Sequence, residues 1–278
     1  MYVLLALVSA VLLGVWRFGI GQYRGRINAN LIVLISATAV TVIYVALGTI
    51  SQELTFNRED AIPGVIAGIF NVAGTLIVIK AFERGKMGVV TGVAAMEAVV
   101  PLGYSLLIGE PLTWVALIGV VLSLVGLLIF LLSRNPADGN ANASSVGVFL
   151  ALAAALLWGT AIVVLDIGTR TSETGSLLIS QMPQLAFTGA MVAISRSFAG
   201  LNRQAFWVIV GAGAALALGN LTFFVAANQG DIGIVSVIGS LSPIITAFLA
   251  LAILKERLTR SEVAALAIVL VGACLMVV

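Results

Sequence analysis

Histidine is missing from this chain and cysteine occurs once, at Cys274. No disulfide can close within the chain, and a zinc site built on His or Cys ligands is excluded. Charge is scarce too: Asp, Glu, Lys and Arg make up 9% of the residues, against about 25% in soluble domains. Such a chain cannot cover a water-facing surface. A net charge of +2 is too small to argue for nucleic acid as a partner.

What is present in quantity is apolar. Hydrophobic residues reach 61%, mean hydropathy is +1.17, and the composition describes an integral membrane protein whose first partner is the lipid bilayer. Crossing the hydrocarbon takes about 20 apolar residues in a helix. Ten segments qualify: 2–21, 29–50, 61–80, 87–108, 113–132, 146–167, 176–195, 206–227, 232–253 and 262–278. The opening MYVLLALVSAVLLG contains ALVSA, which resembles a cleavage site. It lacks the basic flank of a signal peptide, and is read as the first span. The polar stretch 133–145 reads as a cytoplasmic linker between the units 1–132 and 146–278.

The two units match. VLLALVSAVLLG (3–14) aligns with VFLALAAALLWG (148–159) at a shift of 145, with seven of twelve positions identical. The same shift sets Gly74 on Gly219, Ala81 on Ala226, Gly85 on Gly230 and Gly88 on Gly233. Beyond one inserted residue, EPLT (110–113) meets ERLT (256–259). Five spans per copy is an odd number, so the copies are expected to insert in opposite senses. The expected fold is therefore all-α, ten transmembrane helices in two inverted five-helix repeats, an arrangement common in secondary transporters.

One carboxylate interrupts the fourth run, GVAAMEAVVP. A charged Glu97 near mid-membrane costs on the order of 2–3 kcal/mol or more, and intramembrane ionisable residues mostly face cavities, so it is the leading candidate for a binding or proton-carrying role. Hydrocarbon disfavours the charged form of a carboxyl group, which makes exchange of a proton conceivable at this point. On a helical period Pro101 and Tyr104 share its face, and in the ninth run Ser236, Ser240 and Pro243 line up likewise. A proline in each of these runs frees backbone carbonyls, either as a gating kink beside a site or as a packing kink. Asn71 with Thr75, Trp158, Gln181 with Gln184 and Thr188, and Asn220 are further polar groups inside spans. Around Glu97 they suggest a polar cavity; one by one, each also suits interhelical hydrogen bonding. Arg17, near the end of the first run, is expected to snorkel to the interface, the alternative being an anion-binding role. Small residues at Gly119, Ser123, Gly126, Gly272 and Ala273 permit close approach within the fold or between protomers, so monomer and homodimer both stay open.

These features resemble the drug/metabolite transporter superfamily, specifically its EamA type. LALAAALLWGT (150–160) is similar to the opening of an EamA repeat. SLSPIITAFLALAILKERLT (240–259) is similar to its ending, and AVVPLGYSLLIGEPLT (98–113) is the first-half version. The resemblance spans essentially the whole chain. It implies two inverted bundles, a central cavity open to one side at a time, helices 5 and 10 set apart from it, and transport of small metabolites such as amino acids, sugars or toxic amphiphiles. The expected function is a secondary active transporter in the cytoplasmic membrane, an exporter coupled to protons through Glu97, with no cofactor. A passive pore, a lipid scramblase and, last, an intramembrane enzyme are the alternatives. The Gly85-Lys86 pair lacks the Gly-rich spacing of a phosphate cradle, so nucleotide-driven transport is not expected.

Eleven of the 14 Lys and Arg fall in loops after odd-numbered spans: Arg24, Arg26, Lys80, Arg84, Lys86, Arg134, Arg196, Arg203, Lys255, Arg257 and Arg260. Arg58 and Arg170 alone lie on the other side. The positive-inside rule then puts both termini outside, whereas family members are usually drawn with cytoplasmic termini. In a Cys274→Ser background, Ser51→Cys should react with an impermeant maleimide from outside and Ser144→Cys should not; the reverse labelling inverts the orientation.

Overall fold

The computed structural model describes residues 2–51, 58–107, 141–169, 173–196, 198–230, 232–239, 241–255 and 260–275, with scattered positions between 114 and 129. All regular structure among the described residues is helical. Among the described residues, six helices are long and apolar enough to cross a membrane: α1 (Tyr2–Gly21), α2 (Ala29–Ser51), α3 (Arg58–Arg84), α6 (Ala141–Thr169), α7 (Glu173–Ser195) and α8 (Arg203–Gln229). Their outer faces suit lipid. On α1, Leu4, Leu7, Val8, Val11 and Val15 recur at helical spacing and stay exposed, while Ala6, Ser9, Ala10 and Gly14 turn inward. The expected fifth span and residues 133–140 of the expected linker lie largely or wholly outside the described residues. The remaining linker residues belong to α6, which begins at Ala141.

The fourth and ninth expected spans are each broken. The fourth comprises α4 (Met87–Ala94), a 3₁₀ turn (Ala95–Ala98) and α5 (Val99–Leu107). Pro101 lacks the N–H that would bond the Glu97 carbonyl one turn back, which explains why regular α-helix fails just there. In the ninth, α9 (Ile232–Gly239) stops and α10 (Ser242–Leu249) restarts with Pro243 in its first turn, where the missing N–H costs nothing. A π-helical turn, Ala250–Leu254, closes this span, ending at Lys255 in the left-handed region. α11 (Arg260–Leu275) follows.

Packing carries the 145-residue repeat into space. α3 lies along α6 as α8 lies along α1, and α3 meets α7 as α8 meets α2. Facing residues in α3 and α6 run in opposite directions, Gly85 with Gly147, Gly74 with Trp158 and Gly168 with Pro63, so the two helices are antiparallel. Two of these contacts have images 145 positions away. A Cβ on Gly74 would lie 2.7 Å from the Trp158 ring, and Gly219 meets Leu13. Gly230 meets Tyr2, as Gly85 meets Gly147. Gly159 presses on the Glu97 carbonyl and Val100; Gly14 presses on the Ser242 carbonyl and Ile245. The two copies are thus related by a two-fold exchange, with glycine letting backbone approach backbone at its tightest points.

The buried apolar residues form two clusters. One gathers Trp16, Ile20, Phe82, Met87, Val148 and Ile209; the other gathers Ala6, Tyr44, Leu165, Leu177 and Phe223. α1, α3, α6 and α8 each pass from one cluster to the other.

Gly159→Ala should lower stability by about 1–3 kcal/mol through overpacking, because its Cβ would run into Glu97 and Val100 backbone and side chain. Gly211→Ala, which meets nothing within 4 Å, should be neutral or slightly stabilising. Thermal unfolding in one detergent compares them; equal losses would contradict the packing.

Candidate functional site

Between the two apolar clusters lies a cavity of about 80 Å³, enough for a few water molecules or a small ligand. Leu13, Trp16 and Arg17 of α1, Asn71 and Thr75 of α3, and Glu97 of the 3₁₀ turn line it. Trp158 and Ile162 of α6, Gln181 and Gln184 of α7, and Leu216 and Asn220 of α8 complete the wall. The 145 shift pairs Leu13 with Trp158, Arg17 with Ile162, Asn71 with Leu216 and Thr75 with Asn220. Both members of all four pairs line the cavity, which therefore sits on the exchange axis between the repeats.

Its centre is an ion pair. Arg17 Nη2 donates to Glu97 Oε1 at 2.5 Å, with Arg17 3% and Glu97 8% exposed. This corrects the snorkelling expected for Arg17. The C-terminal part of α1 is covered rather than solvated: Trp16, Phe18, Ile20 and Gly21 are buried along with Arg17, and Phe82 and Met87 close over Gly21. Taking two ions out of water costs several kcal/mol each, offset only by close pairing and further hydrogen bonds. The pairing is close, but the hydrogen bonding is incomplete. Arg17 Nε and Nη1 have no hydrogen-bond partner among the described residues, and leaving buried donors unpaired costs about 1–3 kcal/mol or more. The guanidinium also stands over the Trp158 ring, 5.0 Å from its centroid, a cation–π contact. Trp16 supports that ring at 5.7 Å.

The wall opposite is neutral and polar. Gln184 Nε2 donates to Gln181 Oε1 at 3.2 Å, and Gln181 Nε2 to Ser180 Oγ at 3.2 Å. Thr188 Oγ1 donates to the Gln184 carbonyl. Among the described residues, Arg17 and Glu97 are the only ionisable side chains in the cavity lining, and their fixed charges sum to zero.

Six residues expected at a site from sequence, Glu97, Asn71, Trp158, Gln181, Gln184 and Asn220, line this one cavity. Tyr104 is half-buried but does not line it. Ser240 lies outside the described residues. Pro101 and Pro243 are buried beside the two helix breaks and outside the lining. The image of Glu97 at the 145 shift is Ser242, which is fully buried. Sequence reasoning favoured snorkelling for Arg17, with anion binding as the alternative, and did not name Leu13, Trp16, Ile162 or Leu216, all of which line the cavity. One signal was available: intramembrane charges pair with one another, and Arg17 is the basic residue inside an apolar run. Asp166, also buried, does not line the cavity.

The EamA-like transporter family model matches twice, over residues 1–132 and 145–278. One solved structure, described only as "Crystal structure of protein", aligns with a TM-score of 0.75 at 16% sequence identity. The match covers 99% of this chain and 95% of the other, a likeness of fold. No curated protein matches the chain.

Removing either member of the ion pair should cost about 3–5 kcal/mol, because it strands a buried charge. Arg17→Gln/Glu97→Gln should lose less than the sum of its single variants. Unfolding of all three variants in detergent measures the coupling; simple additivity would mean that the two groups do not interact.

Proposed function

The chain belongs to the EamA-like transporter family of the drug/metabolite transporter superfamily, and on that footing we propose that it is a secondary carrier which binds its small-molecule substrate in the cavity around Arg17 and Glu97. In this reading the protein has ten transmembrane helices in two inverted five-helix repeats, and works by alternating access. The substrate is a small metabolite, moved outward across the cytoplasmic membrane. Placement of the cavity on the exchange axis carries the proposal: a site shared by matching helices of both repeats changes its exposure when they trade conformations. The two helix breaks lie where such a change needs compliance. Gating belongs to them, with Pro101 and Pro243 as the kink residues.

Glu97 is the coupling group in this reading. A carboxylate that exchanges its guanidinium partner for a proton changes the charge of the cavity by one unit, and that change links substrate movement to a proton gradient. Substrates come first from a thermal-shift screen of purified protein against amino acids, sugars and cationic drugs, since ligands of the folded state raise its apparent stability. A positive compound should then show saturable counterflow in proteoliposomes; conduction without exchange would identify a pore. In Glu97→Gln, transport should continue without responding to an imposed pH gradient. An unchanged response would remove Glu97 from coupling.

A further inference from the structure

Arg17 is paired on one nitrogen and unpaired on two. Nη2 holds Glu97, while Nε and Nη1 carry N–H donors with no acceptor among the described residues, in a side chain only 4% exposed. A guanidinium has five N–H donors and no acceptor capacity, so what completes it must be an acceptor, best a charged one. The cavity it lines carries amides at Asn71, Gln181, Gln184 and Asn220. Those can donate or accept, and do not select for charge. The selective group is the guanidinium.

We propose that the substrate of this site is a small carboxylate that binds the free nitrogens of Arg17, with Glu97 as the built-in anion sharing the same guanidinium. The inference rests on the carrier reading above and narrows it to one ligand chemistry. Charge arithmetic favours a monoanion. The lining is neutral as it stands, so one carboxylate adds one negative charge beside a single cation, whereas a phosphate dianion adds two. The cavity of about 80 Å³ suits a ligand of few heavy atoms. The Trp158 ring beneath the guanidinium, propped by Trp16, holds the fork in place before the ligand arrives, which lowers the ordering cost of binding.

Glu97 then has an unusual part: it competes with the ligand. Glu97→Gln keeps the shape, removes the resident anion and leaves Arg17 wholly to the ligand. Arg17→Gln/Glu97→Gln restores neutrality without a guanidinium.

The test uses purified full-length protein with propionate, lactate, propionamide, lactamide and inorganic phosphate, read by tryptophan fluorescence and by thermal unfolding. Wild type should respond to the two carboxylates and not to their amides. Glu97→Gln should bind the carboxylates roughly tenfold tighter or more, the range of one charge-assisted hydrogen bond, with a larger upward thermal shift. The double variant should lose the response while still unfolding cooperatively. Amides as effective as carboxylates, tighter binding of phosphate, or a carboxylate response surviving in the double variant would each overturn the proposal. Saturable counterflow of a neutral or cationic solute without carboxylate binding would sink this inference and leave the carrier standing. Carboxylate binding without carboxylate counterflow would do the opposite.

Discussion

A guanidinium and a carboxylate face each other where neither finds water in bulk, and the surrounding architecture answers to that pair. Arg17 and Glu97 are both buried and supply each other's counter-charge at hydrogen-bond distance. Each requires the other more than it requires the fold. The 3₁₀ turn sets Glu97 at the level of the α1 terminus. Gly159 brings α6 against the backbone of that turn, and so places Trp158 beneath the guanidinium.

The repeat explains where the cavity is; the side chains explain what it does. Two-fold packing puts Leu13 opposite Trp158, and Arg17 opposite Ile162. At each matched pair, one copy supplies bulk or chemistry and the other a simpler apolar group, apart from Thr75 and Asn220, which are both polar. A duplicated scaffold has thus been filled with unlike residues at its own axis. The glycines could not diverge in this way. Gly14 and Gly159 both abut the backbone of a broken helix, and any side chain there would push that helix away from its neighbour.

Much of this was legible beforehand, for physical reasons. The repeat was visible because glycine recurs at Gly74, Gly85, Gly219 and Gly230, where a Cβ would meet the side chains of Trp158, Val90, Leu13 and Tyr2 within about 3 Å. Glu97 stood out because a lone acid in an apolar run must have a reason. Asn71, Gln181, Gln184 and Asn220 shared its cavity because amides in hydrocarbon seek one another's company. Arg17 was misjudged because position along a span is a poor guide to depth once neighbouring helices extend past its end. Phe82 and Met87, far away in sequence, close over Gly21 at that end of α1. Tyr104 shares a face with Glu97 by helical period, yet it is half-buried in α5 and does not line the cavity.

The unlike filling of like scaffolds also makes the molecule lopsided. Were the two halves chemically identical, swapping their shapes would yield two forms of equal energy, and neither face of the bilayer would be preferred at rest. Ser242 stands where Glu97 would be mirrored, and Ile162 where Arg17 would be. The pair therefore stays with the N-terminal half through any such swap, and its surroundings differ before and after. If the protein works by the proposed alternating access, its resting bias is written into two side chains that have no twin.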